Sequence, residues 1–343
     1  MKVPVSASLI GIAGTGSYLP HEPISLESYI QAGMEVTPMD NSPLLRAPRF
    51  RHHVAPGERA SVMIEKAAVP MFERLGVDPA RDVDLLITNV LLPDDLFTGC
   101  GADTAHRLGI ASEWIIDLHN GGCASFQYML KIASAIMASG GVRTALIANV
   151  QNTAGQVFDL AENRFKPHSV IAGDGCGVVY VTADADQNHA RLLGVRTRNT
   201  PATARDLGVS TGNGRFYWES ENSAIDVQFD AKKTKETLAL GNRLVPELVN
   251  ELACDCGFAV EDIDILITNQ PNRIFLRNWR TSLGIGEERH VDTYDQYGNL
   301  YGAGVPVTLH DAVTAGRVKP GDLVVMAGFA HAGDFAAAAA FRW

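Results

Sequence analysis

The sequence is short of the features that mark a membrane protein, a polyanion binder or a secreted disulfide scaffold. Lys and Arg number 29 against 39 Asp and Glu, a formal charge of −10. Such an acidic balance argues against general binding of nucleic acid or anionic membranes. No apolar run approaches the roughly 18 residues of a membrane span. The opening residues, Met1 to Gly14, contain one Lys and read as a strand rather than a signal peptide. Five cysteines are an odd count with no pairing framework, which predicts a reducing, cytoplasmic location. Cys254 and Cys256 form a lone C-x-C with no second ligand pair, so no metal site is expected. There is no Walker loop and no dinucleotide fingerprint, and Gly14-Thr15-Gly16 reads as a turn.

What is present is an ordinary globular composition, 46% hydrophobic and 20% charged over 343 residues. That length suits two or so domain-sized units and a core that needs no staples. Strand-like apolar runs alternate with helix-like segments, the pattern of an α/β fold. Leu85 to Ile87, Ala145 to Val150, Gly177 to Val181, Ile265 to Ile267 and Leu323 to Met326 are expected buried strands. Phe126 to Met137 and Lys235 to Leu252 keep helical spacing. The polar stretch from Asn199 to Ala231 fits neither period.

An internal repeat organises the rest. Asp82-Val83-Asp84-Leu85-Leu86-Ile87-Thr88-Asn89 returns as Asp262-Ile263-Asp264-Ile265-Leu266-Ile267-Thr268-Asn269. Each copy is followed by a helix ending in Leu-Gly-Ile, at Leu108 and again at Leu283. The helix end, glycine turn and strand of Ser139 to Val150 are echoed by Ala315 to Met326. A duplicated domain follows, with an N-terminal half over 1–185 and a C-terminal half over 186–343. A site at their junction draws residues from the strand ends of both.

Among the cysteines, Cys123 stands apart. It follows the strand-like run Trp114 to Leu118 and the turn His119-Asn120-Gly121-Gly122, and it opens a helix. A thiol there meets unpaired backbone N–H groups and the positive end of the helix dipole, which predicts a lowered pKa and a nucleophilic thiolate. Cys100 and Cys176 read as packing residues. His119 is a weaker candidate for the site, and His52-His53 read as surface.

With these segments in place, the sequence resembles the β-ketoacyl-acyl-carrier-protein synthase III family of the thiolase superfamily over nearly its whole length. Ile10 to Pro20 is similar to the family's first strand and turn, and Gly122-Cys123-Ala124-Ser125-Phe126 to its nucleophile segment. Gly173-Asp174-Gly175-Cys176-Gly177 resembles its glycine-rich approach to a strand. Gly298-Asn299 with Gly304-Val305-Pro306 resembles its active-site asparagine segment. The resemblance implies a thiolase-like five-layered αβαβα fold from two duplicated halves, a homodimer, and an acyl-thioester intermediate on Cys123. It implies no tightly bound cofactor. Acyl-CoA or an acyl group on the phosphopantetheine arm of an acyl carrier protein is the expected substrate, with a small-molecule acyl acceptor.

Two departures shape the functional reading. The family's His-Gln-Ala-Asn appears as Asn269-Gln270-Pro271-Asn272, while its asparagine is kept as Asn299. An amide donates a hydrogen bond but shuttles no proton near neutral pH. The family's last glycine-rich loop appears as Phe329-Ala330-His331-Ala332-Gly333-Asp334. Asp334 orienting His331, and His331 acting on a thiol or an incoming acceptor, follows triad logic. The alternative is a solvent-facing His331 with Asp334 capping a helix. The catalytic candidates are thus Cys123, His331, Asn299, Asn269 and Asp334.

Two basic groups complete the picture. Arg46, Arg49, Arg51 and His53 cluster where the family contacts coenzyme A phosphates, and Arg273, Arg277 and Arg280 share one helix face. Arg49, Arg51, Arg273 and Arg277 are the substrate-binding candidates, unless they are ordinary surface ion pairs. The expected activity is acyl transfer to a hydroxyl or amine in polyketide or fatty-acid-related specialised metabolism. Decarboxylative Claisen condensation with a malonyl thioester and a non-catalytic ketosynthase partner subunit are the alternatives.

Overall fold

The computed structural model describes residues 10–35, 46–119, 121–185, 190–203, 206–211, 216, 225–229, 234–331 and 333–343. The repeat is realised element by element. The first half runs β1 (Gly11–Tyr18), α1 (Ala60–Leu75), β2 (Leu85–Val90), α2 (Gly101–Leu108), β3 (Trp114–Leu118), α3 (Ser125–Ala138), β4 (Thr144–Gln151) and β5 (Gly175–Thr182). The second half runs β6 (Ala190–Asn199), α4 (Thr234–Cys256), β7 (Ile265–Thr268), α5 (Arg273–Leu283), β8 (His290–Val291), α6 (Gly304–Thr314), β9 (Leu323–Ala330) and β10 (Phe335–Arg342). Strand order is β1-β5-β4-β2-β3 in one half and β6-β10-β9-β7-β8 in the other, so each strand matches the one five places later. Among the described residues the two halves pair edge to edge at β1 and β6, Gly11 with Arg191 and Ile12 with Ala190.

The burial pattern explains the layering. Every residue of β2 is buried, as expected for a strand covered on both faces. Leu85 and Ile87 point into a central core with Phe126, Met129 and Leu130 of α3, Val305 and Leu309 of α6, and Ile267 of β7. Leu86 points the other way, onto Met63, Ile64 and Ala67 of α1. In the second half, Leu266 and Val325 pack outward on Leu248 of α4 and on Leu276 and Trp279 of α5. The sequence of layers is therefore helix, sheet, helix pair, sheet, helix, the five-layered arrangement expected of the fold. The Leu-Gly-Ile echoes are helix stops: Gly109 and Gly284 take φ of +70° and +66° at the ends of α2 and α5.

Three expectations are corrected. Gly14-Thr15-Gly16 is not a turn but the middle of β1. A Cβ on Gly14 would lie 2.5 Å from Leu75 Cδ1, and one on Gly16 would run into the Ala67 carbonyl, so these glycines let α1 pack close on the strand. His52 and His53 are buried rather than surface. The His52 Nδ1 lies 3.0 Å from the carbonyls of Pro20 and His21, and His53 Nε2 lies 3.1 Å from the Tyr29 hydroxyl. The polar stretch after Asn199 contributes a two-stranded ribbon, Leu207–Thr211 with Ile225–Phe229, and otherwise falls largely outside the described residues. No helix among the described residues is long and apolar enough to cross a membrane.

Candidate active site

Cys123 sits in a single 3-10 turn, Gly122–Ala124, that leads from β3 into α3. Gly122 has φ +47°, and a Cβ there would lie 2.8 Å from Ala330 Cβ and 2.9 Å from His331 Nε2. Glycine is thus required both by the backbone and by the loop pressed against it. That loop follows β9 and belongs to the other half of the molecule. Gly328 of β9 makes a second close approach, since its Cβ would lie 3.0 Å from the Cys123 carbonyl and 3.1 Å from Asn269 Oδ1.

The expected lowering of the thiol pKa is overturned. Burial pushes the Cys123 thiol up to about 12, and hydrogen bonds from the Asn269 side chain and from its own backbone N–H only partly counter this. Desolvation of a thiolate here outweighs the few N–H dipoles of one short turn. The thiol is neutral near pH 7, so nucleophilic use requires a base.

His331 lies against the turn that carries Cys123. Its Nδ1 lies 2.9 and 3.1 Å from the two oxygens of Asp334. With the Nδ1 proton donated to the carboxylate, a neutral ring carries its lone pair on Nε2, the nitrogen beside Gly122. His331 takes φ +51°, a left-handed conformation that costs a non-glycine residue about 1–3 kcal/mol. The Thr200 N–H, donating to the Asp334 carbonyl at 2.6 Å, helps fix the loop.

Asn269 follows β7 and is buried, its Nδ2 3.5 Å from the Phe329 carbonyl and its Oδ1 without a hydrogen-bond partner among the described residues. Asn299 is held by its backbone: its N–H donates to Ile171 O at 2.7 Å, and its carbonyl accepts from Gly173 N at 3.1 Å. Its Oδ1 accepts from the Tyr301 N–H at 3.0 Å. Asp174, in the same glycine-rich stretch, accepts from the N–H groups of Val54, Ala154 and Gly155 at 2.9, 2.8 and 2.7 Å. This carboxylate ties three loops together beneath the asparagine segment.

The structure brings together Cys123, Asn269, His331 and Asp334, with the Asn299 segment adjoining through Gly302. A Cβ on Gly302 would lie 2.9 Å from the Gly122 carbonyl, 3.0 Å from Ser125 Oγ and 3.1 Å from Asn89 Oδ1. Asn89 is the repeat partner of Asn269, so each half aims one asparagine at this seam. His119 is exposed at the end of β3. The arginines divide. Arg51 is fully buried, donates to the Pro48 carbonyl at 2.5 Å and lies 4.6 Å over the Tyr29 ring, so it is not part of a surface phosphate patch. Arg273 stacks 4.7 Å over Tyr294 and pairs with Asp295, which Arg46 approaches to 3.1 Å and Arg49 to 4.0 Å. Arg277 is exposed on α5, and Arg280 pairs with Glu287 at 2.8 Å.

One residue at the site escaped the sequence reading. Burial raises the pKa of the Tyr301 phenol, and charge on Cys123 would raise it further. Its only signal in the sequence is an aromatic residue inside an otherwise small-residue turn, Gly298 to Gly304.

Five layers built from two matching halves, with a Gly-Cys-Ala-Ser segment at their seam, define a member of the thiolase superfamily. Comparison with known proteins narrows this. Residues 116–201 match the 3-oxoacyl-[acyl-carrier-protein] synthase III family and residues 254–343 its C-terminal region. The chain is 32% identical over 298 residues to a β-ketoacyl-[acyl-carrier-protein] synthase III of Thermosynechococcus vestitus, covering 85% of this chain and 86% of that one. A protein of the same name from Gloeobacter violaceus is 29% identical over 283 residues, covering 82% and 83%. Among solved structures, the 3-oxoacyl-(acyl carrier protein) synthase III of Pseudomonas aeruginosa superposes with a TM-score of 0.82 at 22% identity, covering 98% of both chains. Xanthomonas campestris OleA superposes equally well, with a TM-score of 0.82 at 18% identity, covering 98% of this chain and 99% of that one. The chain belongs to the β-ketoacyl-[acyl-carrier-protein] synthase III family and is an enzyme of the ketoacyl synthase III type.

Proposed function

We propose that the enzyme transfers an acyl group from an acyl thioester, through acyl-Cys123, to a hydroxyl or amine acceptor. The observation that carries this reading is the oriented pair His331–Asp334, with Nε2 of the histidine beside the nucleophile's turn. In the first step His331 Nε2 takes the Cys123 proton, sulfur attacks the thioester carbonyl, and the donor thiolate leaves with a proton returned to it. In the second, His331 takes the acceptor's proton as the new C–O or C–N bond forms, and returns it to the Cys123 sulfur as the C–S bond breaks. Asp334 steadies the imidazolium in both. The backbone N–H of Cys123, with the loop after β9, supplies the oxyanion site. Asn269 replaces the proton-handling histidine of the family, which favours this chemistry over decarboxylative condensation.

The donor is CoA or an acyl carrier protein. Arg46, Arg49 and Arg273 gather at Asp295, with Asp292 also near Arg273, and this basic group would suit a phosphopantetheine arm or an acidic carrier. The functional unit is a homodimer. Among the described residues β3 ends the sheet unpaired on one side, with Trp114 and Ile115 exposed on it, and Leu91, Leu96 and the 94%-exposed Phe97 lie on the segment that follows its neighbour β2.

The test is intact-protein mass after incubation with acyl-CoA and acyl carrier protein donors. Wild type gains one acyl mass and Cys123→Ala gains none. His331→Ala acylates slowly and fails to release the group to hydroxyl or amine acceptors. Formation of a β-keto product from a malonyl thioester instead would replace transfer by condensation.

A further inference from the structure

We propose that the side-chain oxygen of Asn269 selects the acyl acceptor, and that this acceptor is a primary amine, which the enzyme converts to an amide. The assignment rests on the acyl-cysteine transfer reading above and decides between the two acceptor classes which that reading leaves open.

Asn269 is 1% exposed, and among the described residues its Oδ1 has no hydrogen-bond partner. The direction of the amide is fixed. The Phe329 carbonyl can only accept, so it is Nδ2, 3.5 Å away, that faces it, and Oδ1 is turned elsewhere. The backbone around it is pinned as well. The Asn269 N–H donates to Ala327 O at 3.2 Å, and Gln270 Nε2 donates to the carbonyls of Thr268 and Val291 at 3.0 and 3.3 Å. This oxygen borders the nucleophile. A Cβ on Gly328 would lie 3.1 Å from Oδ1 and 3.0 Å from the Cys123 carbonyl, and glycine puts no side chain between them. His331 Nε2 borders the same turn at Gly122. An unpaired amide oxygen buried in protein is costly. A donor that arrives with the substrate offsets that cost.

Counting protons then separates the acceptors. In the second half-reaction the nucleophile's lone pair attacks the acyl carbon, His331 Nε2 takes one of its protons, and that proton returns to the sulfur as the C–S bond breaks. An alcohol has a single O–H. Once the base has taken it, only lone pairs are left to face Oδ1. A secondary amine has a single N–H and ends in the same position. A primary amine has a second one. Its first proton goes to His331, while the other stays on nitrogen, donates to Oδ1 during attack and becomes the N–H of the product amide. Only this acceptor satisfies the base and Asn269 together. A site built around a buried acceptor rejects analogues that cannot donate to it.

The experiment starts from acetyl-enzyme made with para-nitrophenyl acetate, the acetyl group being located on Cys123 by peptide mass. Three acceptors that are uncharged at neutral pH are offered: O-methylhydroxylamine, which is primary at nitrogen, its secondary counterpart N,O-dimethylhydroxylamine, and methanol. Loss of the acetyl mass is timed, and each amine's rate is divided by its rate with a free acetyl thioester. In wild type the normalised rate is at least about tenfold higher for the primary reagent than for the secondary one. Methanol releases nothing beyond hydrolysis. Asn269→Leu keeps the bulk and removes the oxygen, and its primary-to-secondary ratio falls to within about threefold of unity. Equal normalised rates in wild type overturn the assignment, whether or not the variant folds. So does release to methanol faster than to the primary reagent. A ratio that persists in Asn269→Leu overturns it too, since the preference is then steric. Each of these outcomes leaves acyl transfer standing. A wild type that gains no acetyl group on Cys123, or an acetyl-enzyme that none of the three discharges, overturns the transfer reading and the amine assignment with it.

Discussion

Asp334 bonds to His331, not to Cys123, among the described residues, yet the proposed chemistry depends on it. Its two oxygens hold the Nδ1–H of His331, fixing both the tautomer and the direction of Nε2. Asp334→Asn keeps the shape but loses the charge that steadies an imidazolium. Turnover in acyl transfer should fall about 10²–10⁴-fold, while thermal stability changes little. Steady-state kinetics beside a melting curve would check this, and wild-type kcat in the variant would remove Asp334 from the site. The residue scale is also where the sequence was least legible. Gly122 looked like a generic tight turn, and only the structure shows His331 Nε2 lying where its Cβ would be. The raised thiol pKa has the same origin, because Gly328 and Ala330, which close on the turn around Cys123, lie some 200 residues away in the chain.

At the scale of elements the sequence was far more informative. The Asp-x-Asp-x-x-Ile-Thr-Asn repeat located β2 and β7, because a strand buried on both faces must be an unbroken apolar run. What periodicity missed were local departures with tertiary causes: the glycines of β1 answer to α1, and His52 and His53 are drawn inside by carbonyl and tyrosine partners. β8 offers a test of the element scale. Its His290 is buried with Nε2 2.9 Å from Thr268 Oγ1 on β7, and burial depresses its pKa to about 3. His53, also buried, is depressed to about 4. Both folded-state values lie below the unfolded value near 6.5, so stability is complete above pH 6.5 and is lost as pH falls toward 3–4. Each histidine should cost about 2 kcal/mol by pH 5. Melting temperatures of wild type and His290→Asn between pH 7 and 5 would show a shallower decline in the variant. Parallel declines would mean that His290 is charged in the fold.

For the whole molecule, the open edge of β3 is the feature with the largest consequence. Among the described residues β3 is paired on one side only, and its exposed Trp114 and Ile115 predict pairing with a second copy. Ile115→Lys should shift the protein from dimer to monomer in sedimentation velocity at micromolar concentration. A wild-type monomer would discard the dimer.

The seam between the halves has a further consequence, one of concentration. The strands of the two halves pair only briefly, so the buried layer of Phe126 and Leu130 with Val305 and Leu309 is what joins the half carrying Cys123 to the half carrying His331. The covalent connection from Thr182 to Ala190 makes their encounter intramolecular, at an effective concentration of order millimolar for a short linker. The shared helix layer then has only to align what the tether already keeps in reach. Fusing the two copies secures their stoichiometry, and it leaves each half free to diverge: one keeps Cys123, while the other carries Gly302 in its place and contributes the histidine.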